Sequence, residues 1–218
     1  MLFKKITSME DLADLVLDAG FVPFFKNHIP GLSIEECTPG ELWFSDTLDG
    51  PWEWKGPVIR ETGCAYGKIF GKKAAFVRKD LYTELANHRR DGYDADARYD
   101  DGLMKARDIE VYRLIEAHGP ALSKSLKKMY PGDFDASVTR LQMMGYAVIS
   151  DFEYARDSKG QKYGWGIAKY ATPEQYFGSD FKSLVYNNTP QKSRLIIYNK
   201  LKALLPDASD KDIYRIIG

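Results

Sequence analysis

The sequence predicts an α+β protein: a small N-terminal α/β portion, a central unit of three short helices followed by a hairpin, and a short helical tail. Three observations lead there. Apolar residues recur at helical spacing in several short stretches, each bounded by Pro, Gly, Ser or Asp. Two other stretches, 65–78 and 147–170, alternate around a turn as half-buried strands do. A chain of 218 residues, 44% hydrophobic and 28% charged, is also long and apolar enough to bury a core.

Taken in order, Ser8 with Glu10 and Asp11 opens a helix over 8–19, in which Leu12, Leu15 and Val16 share a face and Gly20 is the stop. Residues 20–42 are rich in Pro and Gly and read as loop, with a short helix near 33–36. Glu41 to Asp46 reads as a short strand. Pro51 starts a helix to about Glu61, which Pro57 should shorten or break. Ala65 to Arg78 reads as a hairpin turning at Gly71-Lys72-Lys73, and Asp80 then caps a helix to about Arg90. A turn at 91–94 leads into another short helix.

Further on, a helix from about Met104 to Ala117 stops at Gly119. Pro120 begins a second, over Ala121 to Met129, and Asp133 caps a third, in which Phe134, Val138, Leu141 and Gly145 form the row facing a core. Strands over Ala147–Ala155 and Gln161–Tyr170 follow, joined by the turn Arg156-Asp157-Ser158-Lys159-Gly160. Helix, helix, helix, hairpin is the order of a winged helix-turn-helix core. Residues 180–217 read as about three more short helices. The expected division is 1–102, 103–172 and 173–218.

Several function classes are disfavoured by what the residues lack. The longest apolar runs are a few residues, against the roughly 20 needed to cross a bilayer, so no membrane is expected. The N-terminus turns acidic at Glu10 and Asp11 without an apolar run and cleavage site, so a cytoplasmic location is expected. Cys37 and Cys64 have no ligand spacing, and His28, His88 and His118 stand far apart, so neither a metal nor a disulfide framework is expected. With no dinucleotide fingerprint, P-loop, nucleophile elbow or zinc-protease motif, no cofactor is expected either.

Charge is informative once divided. The 31 basic and 31 acidic residues cancel, so no global positive field draws the chain to nucleic acid. Residues 1–50 nevertheless carry −6, and 51–102, 103–170 and 171–218 carry +1, +3 and +2. Between Gly63 and Lys79 stand Lys68, Lys72, Lys73, Arg78 and Lys79 with no acid, interleaved with Tyr66, Phe70 and Phe76. Such a run can track a phosphate backbone, and equally can be an ordinary solvated hairpin. The acidic first segment could screen it.

The run from Val138 to Tyr154, together with 162–168, Thr172-Pro173-Glu174, Pro51-Trp52-Glu53-Trp54-Lys55 and 65–70, resembles bacterial winged-helix proteins related to the AlkZ-like alkylpurine and crosslink DNA glycosylase family. The likeness covers about residues 40–180. It implies a winged-helix fold and double-stranded DNA as the partner, with a place in DNA repair. The glycosylases themselves use a Gln-x-Gln motif to position water, and Gln142, Gln161, Gln175 and Gln191 include no such pair. The resemblance therefore implies the fold more strongly than the hydrolysis.

Candidate DNA-binding residues follow from that geometry. The third helix would offer Ser137, Thr139, Arg140, Gln142 and Met143, with Arg140 and Gln142 of the types that pair with guanine and adenine edges. Arg156, Lys159 and Lys162 surround the wing tip, where phosphate oxygens lie within reach. Lys68, Lys72 and Lys73 would grip backbone from the first hairpin. Trp52, Trp54 and Tyr66, with Trp43 and Trp165, could form a base-stacking pocket with Asp49 or Glu53 as its carboxylate; a plain aromatic core is the other reading. A winged-helix protein-interaction or regulatory module without enzymatic activity is the alternative function, with a protein as its partner.

Overall fold

A computed structural model describes residues 3–45, 47–156, 158 and 162–218, with the side chains of 156 and 162–165 outside the description. The chain is a mixed α+β protein. Helix α1 (Met9–Ala19) starts as read: the Ser8 hydroxyl accepts from the Asp11 amide while the Asp11 carboxylate accepts from the Ser8 amide, and Gly20 ends the helix at φ 75°. Leu12, Ala13 and Val16 turn inward. Strand β1 (Phe21–Pro23) and the one-turn helix α2 (Ile34–Cys37, capped by Ser33) follow.

The segment read as a strand from Glu41 to Asp46 is not one. Gly40–Leu42 form a 3₁₀ turn, and Asp46 itself lies outside the described residues. Trp43 is buried and Phe44 82% exposed, as in a strand, but the segment pairs with neither edge of the sheet, whose order is β1-β3-β2. Helix α3 (Pro51–Thr62) likewise departs from expectation by running unbroken through Pro57. The residue before a proline is crowded mainly through its Cβ, and here that residue is Gly56. Gly56 packs against β5, where a Cβ would lie in ordinary contact 3.4 Å from Asp151 Oδ1 and 3.6 Å from Phe152 Cβ.

Strands β2 (Ala65–Phe70) and β3 (Lys73–Val77) form the first hairpin, turning at Gly71 and Lys72 with φ of 54° and 65°. Two successive positive-φ residues match the twist of the flanking strands. The sheet order is β1-β3-β2, so the acidic N-terminal segment contributes a strand and core residues such as Phe3, Phe21 and Phe24. It is structural whatever its charge does. Helix α4 (Lys79–Arg90) is capped at Arg78 rather than Asp80; Asp80 sits in the first turn and receives both arms of the Arg78 guanidinium at 2.7 and 2.8 Å.

After α5 (Ala95–Asp100) and α6 (Ala106–His118), the expected helix from Ala121 begins two residues late. Ala121–Leu122 form β4, paired with Tyr170 and Lys169, and α7 is Ser123–Met129. The hydrogen-bond partners that make these two residues extended lie almost fifty residues downstream, beyond any local pattern. Asp133 caps α8 (Phe134–Met144) as read, and Gly145 ends it at φ 83°. Strands β5 (Val148–Arg156) and β6 (Lys162–Ala171) complete a second antiparallel sheet of order β4-β6-β5. The tail is α9 (Pro173–Phe177), α10 (Phe181–Val185), α11 (Pro190–Leu204) and α12 (Asp210–Ile217).

One apolar cluster runs from Phe3 to Ile217 and draws on all three expected portions. Polar ties cross it as well: Asn87 of α4 donates to Ser193 Oγ at 2.8 Å and to the Asn188 carbonyl, while Ser193 and Asn188 donate to Glu84. The tail helix is thereby docked on α4.

Lys55 is the unexpected member of this interior. It is 6% exposed, with its ammonium 4.3 Å from the Phe152 ring centre and 4.8 Å from that of Trp52. Burial pulls its pKa down to about 8, against a smaller opposing pull from Glu53. The unfolded chain, whose lysine keeps its ordinary value, binds the proton more tightly, so this group costs stability in full below pH 8 and none above about 10.5. Lys55→Met should therefore stabilise the fold by about 2–3 kcal/mol at pH 7, with the gain fading between pH 8 and 10.5. Urea unfolding of both proteins at pH 7, 9 and 10.5 checks it; a gain that does not shrink with pH contradicts the assignment.

Candidate nucleic-acid interface

The first hairpin lies against α8, and this contact decides what each candidate residue can do. Gln142 is fully buried: its Oε1 accepts from the Lys68 amide at 2.8 Å, and its Nε2 donates to the Val138 carbonyl at 3.1 Å. Gly67 makes room for it, since a Cβ at that residue would stand 2.4 Å from Gln142 Oε1. Near the turn, the Lys72 amide donates to Met143 Sδ at 3.3 Å. Ser137 is fully buried too, so the inward stripe of α8 is wider than the apolar row alone.

Arg140 is committed elsewhere. Its guanidinium clasps the carboxylate of Asp108, which is 2% exposed, at 2.5 and 2.7 Å, and donates to Ser137 Oγ at 2.9 Å. Thr139 donates to the Asp135 carbonyl at 2.6 Å and accepts from Lys68 Nζ at 3.4 Å. The expectation of an open reading face on this helix is corrected for Ser137 and Gln142, which are buried. The three remaining residues, Thr139, Arg140 and Met143, are half-buried and already bonded within the chain.

What stays outward is the basic edge of the hairpin. Lys68, Lys72 and Lys73 are all exposed, the last donating one N–H to the Lys26 carbonyl at 2.9 Å. The side chains of Arg156, Lys159 and Lys162 lie outside the described residues.

The aromatic set read as a base-stacking pocket is interlocked core. Tyr66 and Trp54 are 4% and 5% exposed, and Tyr66 packs on Phe76 and Phe152 with ring centres 4.5 and 5.7 Å apart. Burial raises the Tyr66 pKa, the chief effect on that phenol. Trp52 meets Trp43 and Phe24. Glu53 is the third residue of α3, and its carboxylate accepts from the Gly50 amide at 2.9 Å as a helix cap; Asp49 is exposed beside it. Trp165's side chain lies outside the description.

A ring-lined cavity with an acid does exist, elsewhere. About 210 Å³ is enclosed by Arg90, Tyr112, Glu116, Tyr146, Glu174 and Tyr186 among its lining residues. Arg90 forms its floor: it donates to Gly145 O at 2.7 and 3.1 Å and to Glu174 Oε1 at 2.7 Å, and faces the Tyr146 ring at 4.8 Å. Glu174 Oε2 is buried without a partner among the described residues. Tyr112 donates to Glu116 at 3.0 Å, and its pKa is raised by burial first and by Glu116 next. Local patterns could not find this site, because its members come from five helices and the turn after α8. The one available cue was His88-Arg89-Arg90 at a helix end.

Among the described residues no cluster of His, Cys, Asp and Glu could hold a metal ion, and no helix is long and apolar enough to cross a membrane. Compared with known families, residues 6–218 match the family described as AlkZ related. The chain belongs to that family and is thereby related to the AlkZ-like glycosylases. No curated protein and no solved structure matches it.

Proposed function

We propose that this protein is a winged-helix DNA-binding protein, acting in DNA repair, that grips duplex DNA by its phosphates and does not read bases through α8. The order α6-β4-α7-α8-β5-β6, with sheet order β4-β6-β5, supports the winged-helix reading of this central unit. The single observation that carries the proposal is the exposed row Lys68, Lys72 and Lys73 on a hairpin laid across the helix that would otherwise enter the groove. Phosphate contacts position a protein without specifying sequence. Arg156, Lys159 and Lys162 join the surface on sequence grounds.

Three such contacts set the salt dependence. From the hairpin lysines alone, affinity for a labelled duplex should fall with a log–log slope of about −2.7, roughly 40-fold between 50 and 200 mM salt, more steeply with wing contacts, and Lys72→Ala or Lys73→Ala should each reduce the slope by about 0.9. Affinity should vary little with base sequence. Fluorescence anisotropy across a salt series checks this. Absent binding at 50 mM salt rejects the proposal in favour of a protein partner, for which Phe44 and Leu48, 82% and 57% exposed beside Glu41 and Asp49, are the surface to examine.

The tyrosine-walled cavity favours a second reading, removal of a modified base. A carboxylate beside three rings is a setting in which a flipped base could stack and be bonded. Here Glu174, rather than Asp49 or Glu53, is the acid. Base release from alkylated duplex, lost in Glu174→Gln with DNA affinity unchanged, is the expected result. No release by the native protein ends this reading and leaves the binding proposal intact.

A further inference from the structure

We infer that the notch between the hairpin turn and α12 is a phosphate site. Its lining is Asn27, His28, Phe70, Gly71, Lys73 and Arg215, around a space of about 150 Å³. Ordinary small-molecule pockets run to roughly 300–1,000 Å³, so this one suits a compact anion better than a nucleoside. The donors arrive from three separate segments: the loop after β1, the start of β3, and α12. No carboxylate is among the lining residues.

Two of the three side chains are held in place by neighbours, and the third is uncommitted. The His28 ring stacks on Phe70 at 6.1 Å with an interplanar angle of 6°. Its Nε2 donates to the Asp212 carbonyl oxygen at 3.2 Å and stands 3.9 Å from Oδ1, so Nδ1 offers an N–H to an anion in the imidazolium form. Lys73 Nζ spends one N–H on the Lys26 carbonyl and keeps two. Arg215 is exposed and makes no hydrogen bond to the described residues. An arginine and a lysine lining one notch with an imidazole supply the guanidinium and ammonium that phosphate oxygens take, through charge-assisted bonds.

The notch adjoins Lys72 at the turn, so a nucleic-acid strand on the hairpin could seat its 5′-terminal phosphate there. That source rests on the proposed function; the anion chemistry does not. Free phosphate is the other source, and the test separates them.

The full-length protein is titrated with inorganic phosphate at constant ionic strength while the imidazole NMR signals are followed. A saturable shift of His28, weakened at least about tenfold by Arg215→Gln and untouched by Lys72→Ala, is expected. Arg215 is exposed, so that variant keeps its fold. Absence of a saturable shift, or a shift that survives Arg215→Gln, overturns the site. In parallel, 5′-phosphorylated and 5′-hydroxyl oligonucleotides are compared by anisotropy. A preference for the phosphorylated strand that vanishes in Arg215→Gln assigns the strand as source. Equal affinities with an intact His28 shift assign free phosphate. If no DNA binds while phosphate still moves His28, the DNA-binding reading falls and the phosphate site stands.

Discussion

Replacing Arg90 by methionine should lower the unfolding free energy by about 3–5 kcal/mol, the usual result of removing one partner from a buried ion pair. Arg90 is 2% exposed and joins three parts of the chain: it belongs to α4, bonds the carbonyl of Gly145 at the end of α8, and pairs with Glu174 of α9. Burial opposes its charge, yet Glu174 and the Tyr186 and Tyr82 oxygens outweigh that and hold the guanidinium charged. Methionine fills much of the volume but leaves the Glu174 carboxylate and the Gly145 carbonyl without a donor. Arg90→Lys keeps the charge and loses the fork, so it should fall between. Urea unfolding with an unchanged m-value checks the series, and a loss under 1 kcal/mol for the methionine variant would mean that the tie carries little. Pairing Arg90→Met with Glu174→Gln should recover part of the loss, because the unpaired charge is then gone.

A second large effect is expected at Arg140. Alanine there strands the carboxylate of Asp108, and the cost should be about 2–4 kcal/mol, below the full buried-pair value because Arg140's side chain is 30% exposed. Adding Asp108→Asn should restore a good part of it. The double variant then separates two roles that the sequence left superimposed. If Arg140 reads a guanine edge, the folded double variant loses sequence preference and affinity; if it is structural, DNA affinity stays at the native level. The native level is the expected outcome, measured on the same duplexes as the hairpin variants.

Local chemistry made much of this chain legible. Ser8, Gly20 and Asp133 mark helix ends because capping is settled within four residues, whereas Gly145, read into the core-facing row, proves to be the C-cap of α8. The two long hairpins were visible for the same reason, each an alternating pair around a short turn. Errors arose where a distant segment held the deciding partner. Ala121 and Leu122 are extended because β6 takes their hydrogen bonds, and the stretch after Gly40 is not a strand, since it turns as a 3₁₀ helix and joins neither edge of the first sheet. Pro57 failed to break α3 because the residue before it is glycine, a cue that was present in the sequence and outweighed by the usual rule.

By itself, then, the sequence determined the fold class, the helix ends fixed by local caps, the basic hairpin and the family likeness, since each is written in neighbouring residues or in their order. Only the tertiary structure decided which polar residues are at work inside the protein and which face outward. Gln142 and Arg140 have the right chemistry for reading bases, but a side chain's hydrogen-bonding capacity is spent on whatever lies nearest, and here that is Lys68 of the hairpin and Asp108 of α6. The Glu174 cavity and the His28 notch were invisible for the same reason. Each gathers residues far apart in the chain, and proximity across that distance is set by packing of the core, not by spacing.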